Sequence, residues 1–425
     1  MTSPLPVDDA LLRILARCEP LGSEEIPFER AVGRILQEEV RAAHDYPPFD
    51  RSLMDGYAVI AADLTTVPCT LRVEQEISAG ADPGRLRAIQ RGTAARIMTG
   101  APLPPGADAV LIVEETEPVA GEQEAVRARS AVRPGANLAR RGDDVGRGEL
   151  LLAPGEYLGP GEIAVLAATG RTLVRVGRRP RVAVLSTGDE LVPPQLEPGP
   201  GQIRNSNGPL LAALARRAGA EATPLGIAPD DGEALRRSIE KGLTHDALIL
   251  SGGVSMGTRD LVGAALQSLG VELLFERVAI KPGKPFTFGC RGSVLVFACP
   301  GNPVSSYVIF QVFVRPALRR MLGCADERTA APEETMSGAD RPAHGMVRAR
   351  LQDAVRQKPW RTGYHQARAR WDGERYQVAV LRSSGSADFV SCARGNALAI
   401  VPSGTTSLEA GEMIDVLLLD DDRDR

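Results

Sequence analysis

The chain has 425 residues, of which 43% are hydrophobic and 24% are charged. This is the composition of a globular protein with about two to four domains, and it excludes a chain that is disordered throughout. The net charge of −4 lacks the basic excess of general nucleic-acid binders, so no nucleic-acid partner is expected.

The first 178 residues mix helical and β patterns. Apolar residues recur at helical spacing over 7–19, and a second helix is predicted over 26–41. Over 42–147 the pattern changes to short β runs broken by Gly and Pro, which predicts a mainly β region. A helix over 160–168 and a strand over 172–176 are predicted to follow.

Alternation of strands and helices becomes regular after residue 180. Strands are predicted over 181–186, 222–228, 247–253, 272–280 and 294–300, and helices over 208–219, 232–243, 261–270 and 303–322. Nearly continuous apolar strands that alternate with helices predict a three-layer α/β domain with a mostly parallel sheet. Residues 325–345 have the composition of a linker, and short strands over 346–419 predict a small β domain.

The loops that follow the α/β strands are the expected ligand sites, because such sheets bind ligands at the carboxyl ends of their strands. The loop SGGVSMG follows one strand directly. Its glycines let backbone N–H groups approach a phosphate or another oxyanion, which makes Ser251, Gly252 and Gly253 candidate binding residues. The loop fits neither the P-loop nor the dinucleotide fingerprint, and a tight turn is the alternative.

Two further loops carry groups that suit an anion. Lys281 and Lys284 are two of only four lysines in the chain, and they lie three residues apart on the stiff loop KPGKP. Two fixed ammonium groups suit a tetrahedral oxyanion or a phosphate, with a solvated surface turn as the alternative. In CPGNPVSS, Asn302 is predicted to cap a helix that begins at Pro303, so that free N–H groups and the hydroxyl of Ser305 face an anion.

Carboxylates lie on the loops beside these anion-binding groups. Glu190, Asp230 and Asp260 each follow a predicted strand of the same sheet. Carboxylates gathered next to a phosphate site are typical of Mg²⁺ that bridges the protein to its substrate. These three residues are therefore the candidate metal ligands, although any one of them alone could be a helix cap or a surface charge.

A rival interpretation uses the same glycine loop. Residues 253–257 match G-x-S-x-G, the nucleophile motif of α/β-hydrolases, with Ser255 as the nucleophile. The acid and base would come from Asp340 or Asp353 and from His344 or His365. These partners lie beyond the linker in the last β region, which disfavours a serine hydrolase.

Cysteine spacing, the N-terminal segment and one uncharged stretch indicate the cellular compartment of the protein. None of the six cysteines has CxxC spacing, which disfavours a zinc ribbon or a disulfide framework. Free thiols are typical of a reducing compartment, and the N-terminal segment lacks the apolar run of a signal peptide, so a cytoplasmic protein is expected. Residues 292–314 carry no formal charge, but Pro300 and Pro303 in their middle would break a spanning helix. No membrane partner is expected.

Eight sequence segments, in order between residues 46 and 322, carry a resemblance to a known family. They read FDRSLMDGYAV, RIMTGAPLPPGADAV, RRGDDV, VAVLSTGDEL with GQIRNSN, LILSGGVSMGTRD, VAIKPGKPF and PGNPVSS. The chain thereby resembles the molybdopterin molybdenumtransferase (MoeA) family, whose eukaryotic relative is the C-terminal part of gephyrin.

The resemblance implies a reaction and an architecture. Adenylylated molybdopterin and molybdate would react in a Mg²⁺-dependent step that releases AMP and loads molybdenum onto the dithiolene. The fold would be multidomain: an α-rich linking domain (1–41 plus 148–178), an inserted β domain (42–147), an α/β molybdopterin-binding domain (179–324) and a C-terminal β-barrel domain (325–425). The resemblance also implies a homodimer whose active site joins the α/β domain of one subunit to the inserted β domain of the other. Molybdopterin adenylyltransferase and proteins of molybdoenzyme maturation are further expected partners.

The family's functional residues can be carried over by position. The resemblance implies catalytic roles for Asp55, Thr99, Asp144, Glu190, Asp230 and Asp260. It implies substrate-binding roles for Ser255, Lys281, Lys284, Pro300, Pro303 and Ser305, with Arg348 and Ser386 completing a molybdate pocket. A non-enzymatic, gephyrin-like scaffold is the remaining alternative, and no segment shows the exposed apolar groove that it would require.

Overall fold

The computed structural model describes residues 3–119, 124–253, 261–325, 345–382 and 385–419. The chain forms two compact units. The larger unit consists of Met1–Glu38, Pro154–Gly159 and Leu173–Arg425, and the smaller unit of Glu39–Ala153 and Pro160–Thr172.

The N-terminal part of the larger unit begins with α1 (Val7–Leu15), which lies within the predicted helix and buries its apolar face. The helix predicted over 26–41 is wrong. That segment contains the end of β1 (Ser23–Pro27), one 3-10 turn at Phe28–Arg30 and the short strand β2 (Val40–Arg41). Two features override helical periodicity: β1 pairs antiparallel with Leu173–Gly177, and Gly33 has a left-handed φ of 80°.

The smaller unit contains the β structure that the sequence predicts. After β2 its strands are β3 (Arg51–Ser52), β4 (Gly56–Val59), β5 (Cys69–Ile77), β6 (Thr93–Ile97), β7 (Ala109–Ile112), β8 (Thr116–Val119), β9 (Ala125–Ala128), β10 (Leu138–Ala139) and β11 (Leu150–Leu152). Six of them form one sheet in the order β7-β4-β6-β5-β9-β8, and the helix α2 (Pro160–Ala168) follows as predicted.

Regular α/β structure fills the middle of the larger unit. In chain order its elements are β12 (Leu173–Gly177), β13 (Arg181–Thr187), β14 (Leu191–Val192), β15 (Ile203–Arg204), α3 (Asn207–Arg217), β16 (Glu221–Ala228), α4 (Gly232–Gly242), β17 (Ala247–Ser251), α5 (Leu261–Ser268), β18 (Glu272–Phe275), β19 (Ile280–Lys281), β20 (Thr287–Arg291), β21 (Val294–Cys299), α6 (Pro303–Ile309) and α7 (Arg315–Met321). A π-helical segment, Phe310–Val314, joins α6 to α7.

The sheet has the order β16-β13-β17-β21-β20-β18, and its first four strands are parallel. Alternate residues of β13 enter different cores. Val182 and Val184 pack with residues of α1, α3 and α6, whereas Ala183 and Leu185 pack with residues of α4 and α5. Helices therefore cover both faces, which confirms the three-layer α/β domain. The strand predicted over 272–280 is too long, because β18 ends at Phe275 and β19 belongs to another sheet.

The C-terminal part closes into a barrel. Its elements are β22 (Met346–Leu351), β23 (Val355–Arg356), β24 (Thr362–Trp371), β25 (Tyr376–Val380), α8 (Phe389–Arg394), β26 (Ala397–Val401), β27 (Ser407–Leu408) and β28 (Met413–Leu418). Strands β24, β25, β22, β28 and β26 pair in a ring that closes through β24 and β26, and β19 pairs with β24 from outside. This confirms the predicted β-barrel. In the described part of the chain, no helix is long and apolar enough to cross a membrane.

Removing a buried aromatic side chain should measure how much the sheet core contributes to stability. Phe297 of β21 is fully buried, and its ring centroid lies 5.2 Å from that of Phe288. We expect Phe297→Ala to lower the free energy of unfolding by about 3–5 kcal/mol through lost burial and a cavity. Urea denaturation would measure it, with Phe389→Ala, at a residue 61% exposed, as the control. Equal effects of the two changes would contradict this packing.

Candidate functional site

The carboxyl ends of the parallel strands meet at one edge of the sheet. The N–H of Gly252, just after β17, donates to the carbonyl of Cys299 at the end of β21, at 3.1 Å. Gly252 has a φ of 99°, and a Cβ there would lie 2.3 Å from the carbonyl oxygen of Thr187. Only glycine fits this position, so the first loop residue after β17 touches the ends of both neighbouring strands.

Carboxylates gather beside this contact. Asp230 Oδ1 accepts a hydrogen bond from Thr187 Oγ1 at 2.9 Å, and the N–H of Asp230 donates to Asp189 Oδ1 at 3.0 Å. Glu190 folds back so that a Cβ on Gly188 would lie 2.4 Å from its Oε2. The structure therefore places the predicted Glu190 and Asp230 on adjoining strand-end loops and adds Asp189 beside them. Asp260 and Ser255 lie outside the described residues.

This donor set suits a magnesium ion that takes some of its ligands from the protein and the rest from a substrate. Within the described residues, no group of three His, Cys, Asp or Glu side chains is arranged to hold a metal alone. Mg²⁺ usually takes one or two carboxylates and fills its remaining positions with water and substrate phosphate oxygens. Glu190 and Asp230, both exposed at the strand ends, fit that arrangement.

A buried amide joins the two glycine-bearing loops. Asn207 Nδ2 donates to Ser251 Oγ at 2.7 Å and to the carbonyl of Gly301 at 2.8 Å. Asn207 ends the segment GQIRNSN, but its sequence context predicts no role of its own. An asparagine at the start of a helix is normally interpreted as a helix cap. The local sequence therefore gives no signal of a hydrogen bond across the sheet edge.

The helix after β21 begins where predicted but is bonded differently. Pro303 is its first residue and Asn302 occupies the cap position. The predicted side-chain cap is wrong, because Asn302 Nδ2 instead donates to Ser386 Oγ at 2.9 Å. The N–H of Val304 also donates to the carbonyl of Ser386, at 3.1 Å, so that group is not free for an anion as expected. Ser305 is only 4% exposed.

The lysine loop is fixed by the barrel. In β19, Ile280 pairs with Thr362 and Lys281 pairs with Gly363 of β24. The carbonyl of Lys284 accepts from the N–H groups of Val278 at 3.1 Å and Phe286 at 3.0 Å. Between the two lysines the backbone packs on α6, since a Cβ on Gly283 would lie 2.9 Å from the side chain of Ile309. The loop backbone therefore has a defined conformation, as a two-cation binding loop requires.

His365 lies beside this loop and is held neutral. Its Nε2 is 3.4 Å from Gln357 Oε1, the amide oxygen of a side chain whose nitrogen faces backbone carbonyls. Burial, with the charge of Lys281 as a second cause, lowers the pKa of His365 to about 4. The partner of His365 is thus an amide rather than the carboxylate that a hydrolase triad would use.

The other predicted catalytic residues lie in the smaller unit. Thr99 donates to Asp55 Oδ1 from both its N–H and its hydroxyl, each at 2.7 Å. Both bonds lower the pKa of Asp55 below its ordinary value, and the bond from the backbone N–H of Thr99 has the larger effect. Asp144 Oδ2 lies 3.5 Å from Arg51 Nη2. The structure therefore pairs Asp55 with Thr99 and leaves both carboxylates exposed.

Family models match most of the chain. One for the MoeA N-terminal region (domain I and II) matches residues 5–170, one for a probable molybdopterin binding domain matches 183–320, and one for the MoeA C-terminal region (domain IV) matches 348–419. A molybdopterin molybdenumtransferase of Staphylococcus epidermidis is 31% identical over 98% of this chain and 96% of its own. The chain belongs to the molybdopterin molybdenumtransferase (MoeA) family.

Other members agree over the same length. A molybdopterin molybdenumtransferase of Staphylococcus aureus is 30% identical over 99% of this chain and 97% of its own. Two solved structures of molybdopterin biosynthesis MoeA protein from Pyrococcus horikoshii, 33% and 29% identical, match with TM-scores of 0.77 and 0.79. Each match covers 98% of this chain and 100% of the chain in the solved structure. The chain is therefore an enzyme of molybdenum cofactor biosynthesis.

The resemblance places Arg348 and Ser386 in a molybdate pocket. Both side chains form polar contacts with other residues of this chain. Arg348 Nη1 lies 3.4 Å from Asp415 Oδ1, and its Nη2 donates to the carbonyl of Met413 at 3.0 Å. Ser386 bonds Asn302 and Val304, which places it at the start of α6. Their roles in binding stay predictions, as do those of the other site residues.

The low pKa of His365 makes stability depend on pH. As pH falls from about 6.5 to about 4, the unfolded chain takes up a proton that folded His365 does not, so unfolding becomes easier. We expect wild type to lose about 2–3 kcal/mol more than His365→Gln between pH 7 and about 4.5. Urea denaturation at both pH values would measure this, and parallel losses in the two proteins would contradict it.

Proposed function

We propose that the enzyme transfers molybdenum to molybdopterin, using adenylylated molybdopterin and molybdate with Mg²⁺ and releasing AMP. One observation carries this proposal. Asp230 bonds Thr187, and the carbonyl of Thr187 packs against Gly252, so a carboxylate group and a glycine loop share one sheet edge. A phosphoanhydride at that edge would have metal ligands on one side and backbone N–H groups on the other.

The bound Mg²⁺ would neutralise the negative charge of the phosphoanhydride oxygens. Glu190 and Asp230 would hold it, with Asp189 keeping Asp230 in place through its backbone N–H. The glycine loop, Ser251 to Gly253, would orient the substrate phosphates.

Molybdate, a tetrahedral dianion, would bind at the lysine loop. Lys281 and Lys284 supply the two positive charges, and the pairing of β19 with β24 holds the backbone that carries them. Pro300, Asn302, Pro303 and Ser305 would form the adjoining wall through the turn before α6.

The proposed chemistry needs no oxidant or reductant. Water or a molybdate oxygen attacks phosphorus, one P–O bond of the anhydride breaks, and its electron pair leaves on the departing phosphate oxygen. The two dithiolene sulfurs then replace two oxygens of molybdate, and molybdenum stays hexavalent. After attack by water, both displaced oxygens take up protons and leave as water. After attack by a molybdate oxygen, that oxygen leaves bound to AMP and only the other leaves as water. The residues of this enzyme act by positioning and charge, as in other phosphoryl transfers. The homodimer and the cytoplasmic location stay predictions.

Replacing Asp230 tests the proposal. Purified protein would be mixed with adenylylated molybdopterin, Mg²⁺ and molybdate, and AMP release followed by chromatography. Asp230→Asn keeps the acceptor for Thr187 but removes the negative charge, so we expect a loss of AMP release of about 100-fold or more. The Mg²⁺ concentration for half-maximal release should rise.

Asp231→Asn is the matched control, because Asp231 is the next residue and caps α4 by accepting from the N–H of Ala234 at 2.8 Å. Asparagine is an equally good cap, so this variant should keep near wild-type release. Equal rates in the two variants, or molybdate-independent chemistry in wild type, would contradict the proposed function.

A further inference from the structure

Asn207 is buried at the sheet edge and is bonded across it. It is the first residue of α3 and is only 7% exposed. Its Nδ2 reaches two loops that no helix or strand connects directly: the end of β17 through Ser251 and the turn before α6 through Gly301. The two loops touch, since a Cβ on Gly301 would lie 3.8 Å from the Cα of Gly252.

The orientation of the amide follows from its partners. A backbone carbonyl can only accept, so the atom that faces Gly301 must be the nitrogen. Both N–H bonds of Nδ2 are then used, one for each loop. Oδ1 is buried and accepts no hydrogen bond within the part of the chain that the structure describes.

Helix capping does not explain this side chain. Ser206, not Asn207, occupies the cap position of α3, and neither the amide oxygen nor the hydroxyl of these residues accepts from the first turn. Buried polar atoms are nearly always paired, so an asparagine whose oxygen accepts no bond from the described residues is a poor choice for packing alone. What the amide does provide is two donors, 2.7 and 2.8 Å from acceptors on separate loops.

We propose that Asn207 is a positioning residue that sets the spacing between the loop after β17 and the turn before α6. Without it, the Ser251 hydroxyl and the Gly301 carbonyl would each lose a buried partner, and the two loops could separate. The ligand-binding consequence rests on the proposed function, because these loops are the ones assigned to the substrate phosphates and molybdate. The spacing itself does not depend on that function.

Asn207→Asp tests this role with almost no change of shape. A carboxylate has no N–H to donate and would face the Gly301 carbonyl with like charge. Amide hydrogen exchange, followed by mass spectrometry on the full-length protein without substrate, should be about tenfold faster or more over 251–253 and 299–303. Ser251→Ala removes only one of the two bonds and should show a smaller increase.

Ser238→Ala is the matched control, because it removes one side-chain hydrogen bond, to Ala234, on α4 of the same domain. It should leave exchange in both loops unchanged. Unchanged exchange in Asn207→Asp, or an equal increase in Ser238→Ala, would overturn the role of Asn207.

A second readout separates this inference from the proposed function. In Asn207→Asp we expect the KM for adenylylated molybdopterin to rise about tenfold with a smaller change in kcat, whereas Ser238→Ala keeps both values. Faster exchange with an unchanged KM would show that Asn207 spaces loops that do not hold this substrate, which overturns the binding half of the inference. If wild type releases no AMP, the proposed function fails while the exchange result still decides the spacing role.

Discussion

The register of four parallel strands is the constraint on which the candidate site depends. Ser186 of β13 pairs with Ser251 of β17, Ser251 pairs with Cys299 of β21, and Thr187 pairs with Ala228 of β16. The strands therefore end level, and their loops must meet. A slip of two residues in one strand would move its loop by about 6.6 Å. A slip of β17 would break the contact of Gly252 with Thr187 and the bond of Asn207 to Ser251, and a slip of β21 would break the bond of Asn207 to Gly301.

The barrel supplies a second, separate support. Its strand β24 pairs with β19, the strand that ends at Lys281, and Ser386 bonds the turn before α6. Two groups assigned to anion binding thus owe their backbone conformation to residues far away in sequence. This explains how a loop with the sequence of a surface turn can present two lysines from a backbone of defined conformation. His365 beside this loop is neutral mainly because it is buried, and the positive charge of Lys281 adds to the effect.

Local pattern predicted much of this molecule. Strand–helix alternation identified the α/β domain, and the strand-end rule placed Glu190, Asp230 and the glycine loop at one edge. Contacts between residues far apart in the sequence could not be predicted from local pattern. The helix predicted over 26–41 gave way to structure in which Arg34 bonds Gly177, 143 residues away, and the amide of Asn302 turned to Ser386, 84 residues away. The role of Asn207 was missed for the same reason, since its hydrogen-bond partners lie on two other loops.

The proposed function depends on binding of a tetrahedral oxyanion by this sheet edge and its lysine loop. Anomalous diffraction from crystals soaked in tungstate, a dianion of nearly the same size as molybdate, would test it most directly. We predict a tungsten peak within contact distance of Lys281 and Lys284, beside the turn 300–303. A peak only elsewhere, or no peak at saturating tungstate, would contradict such binding.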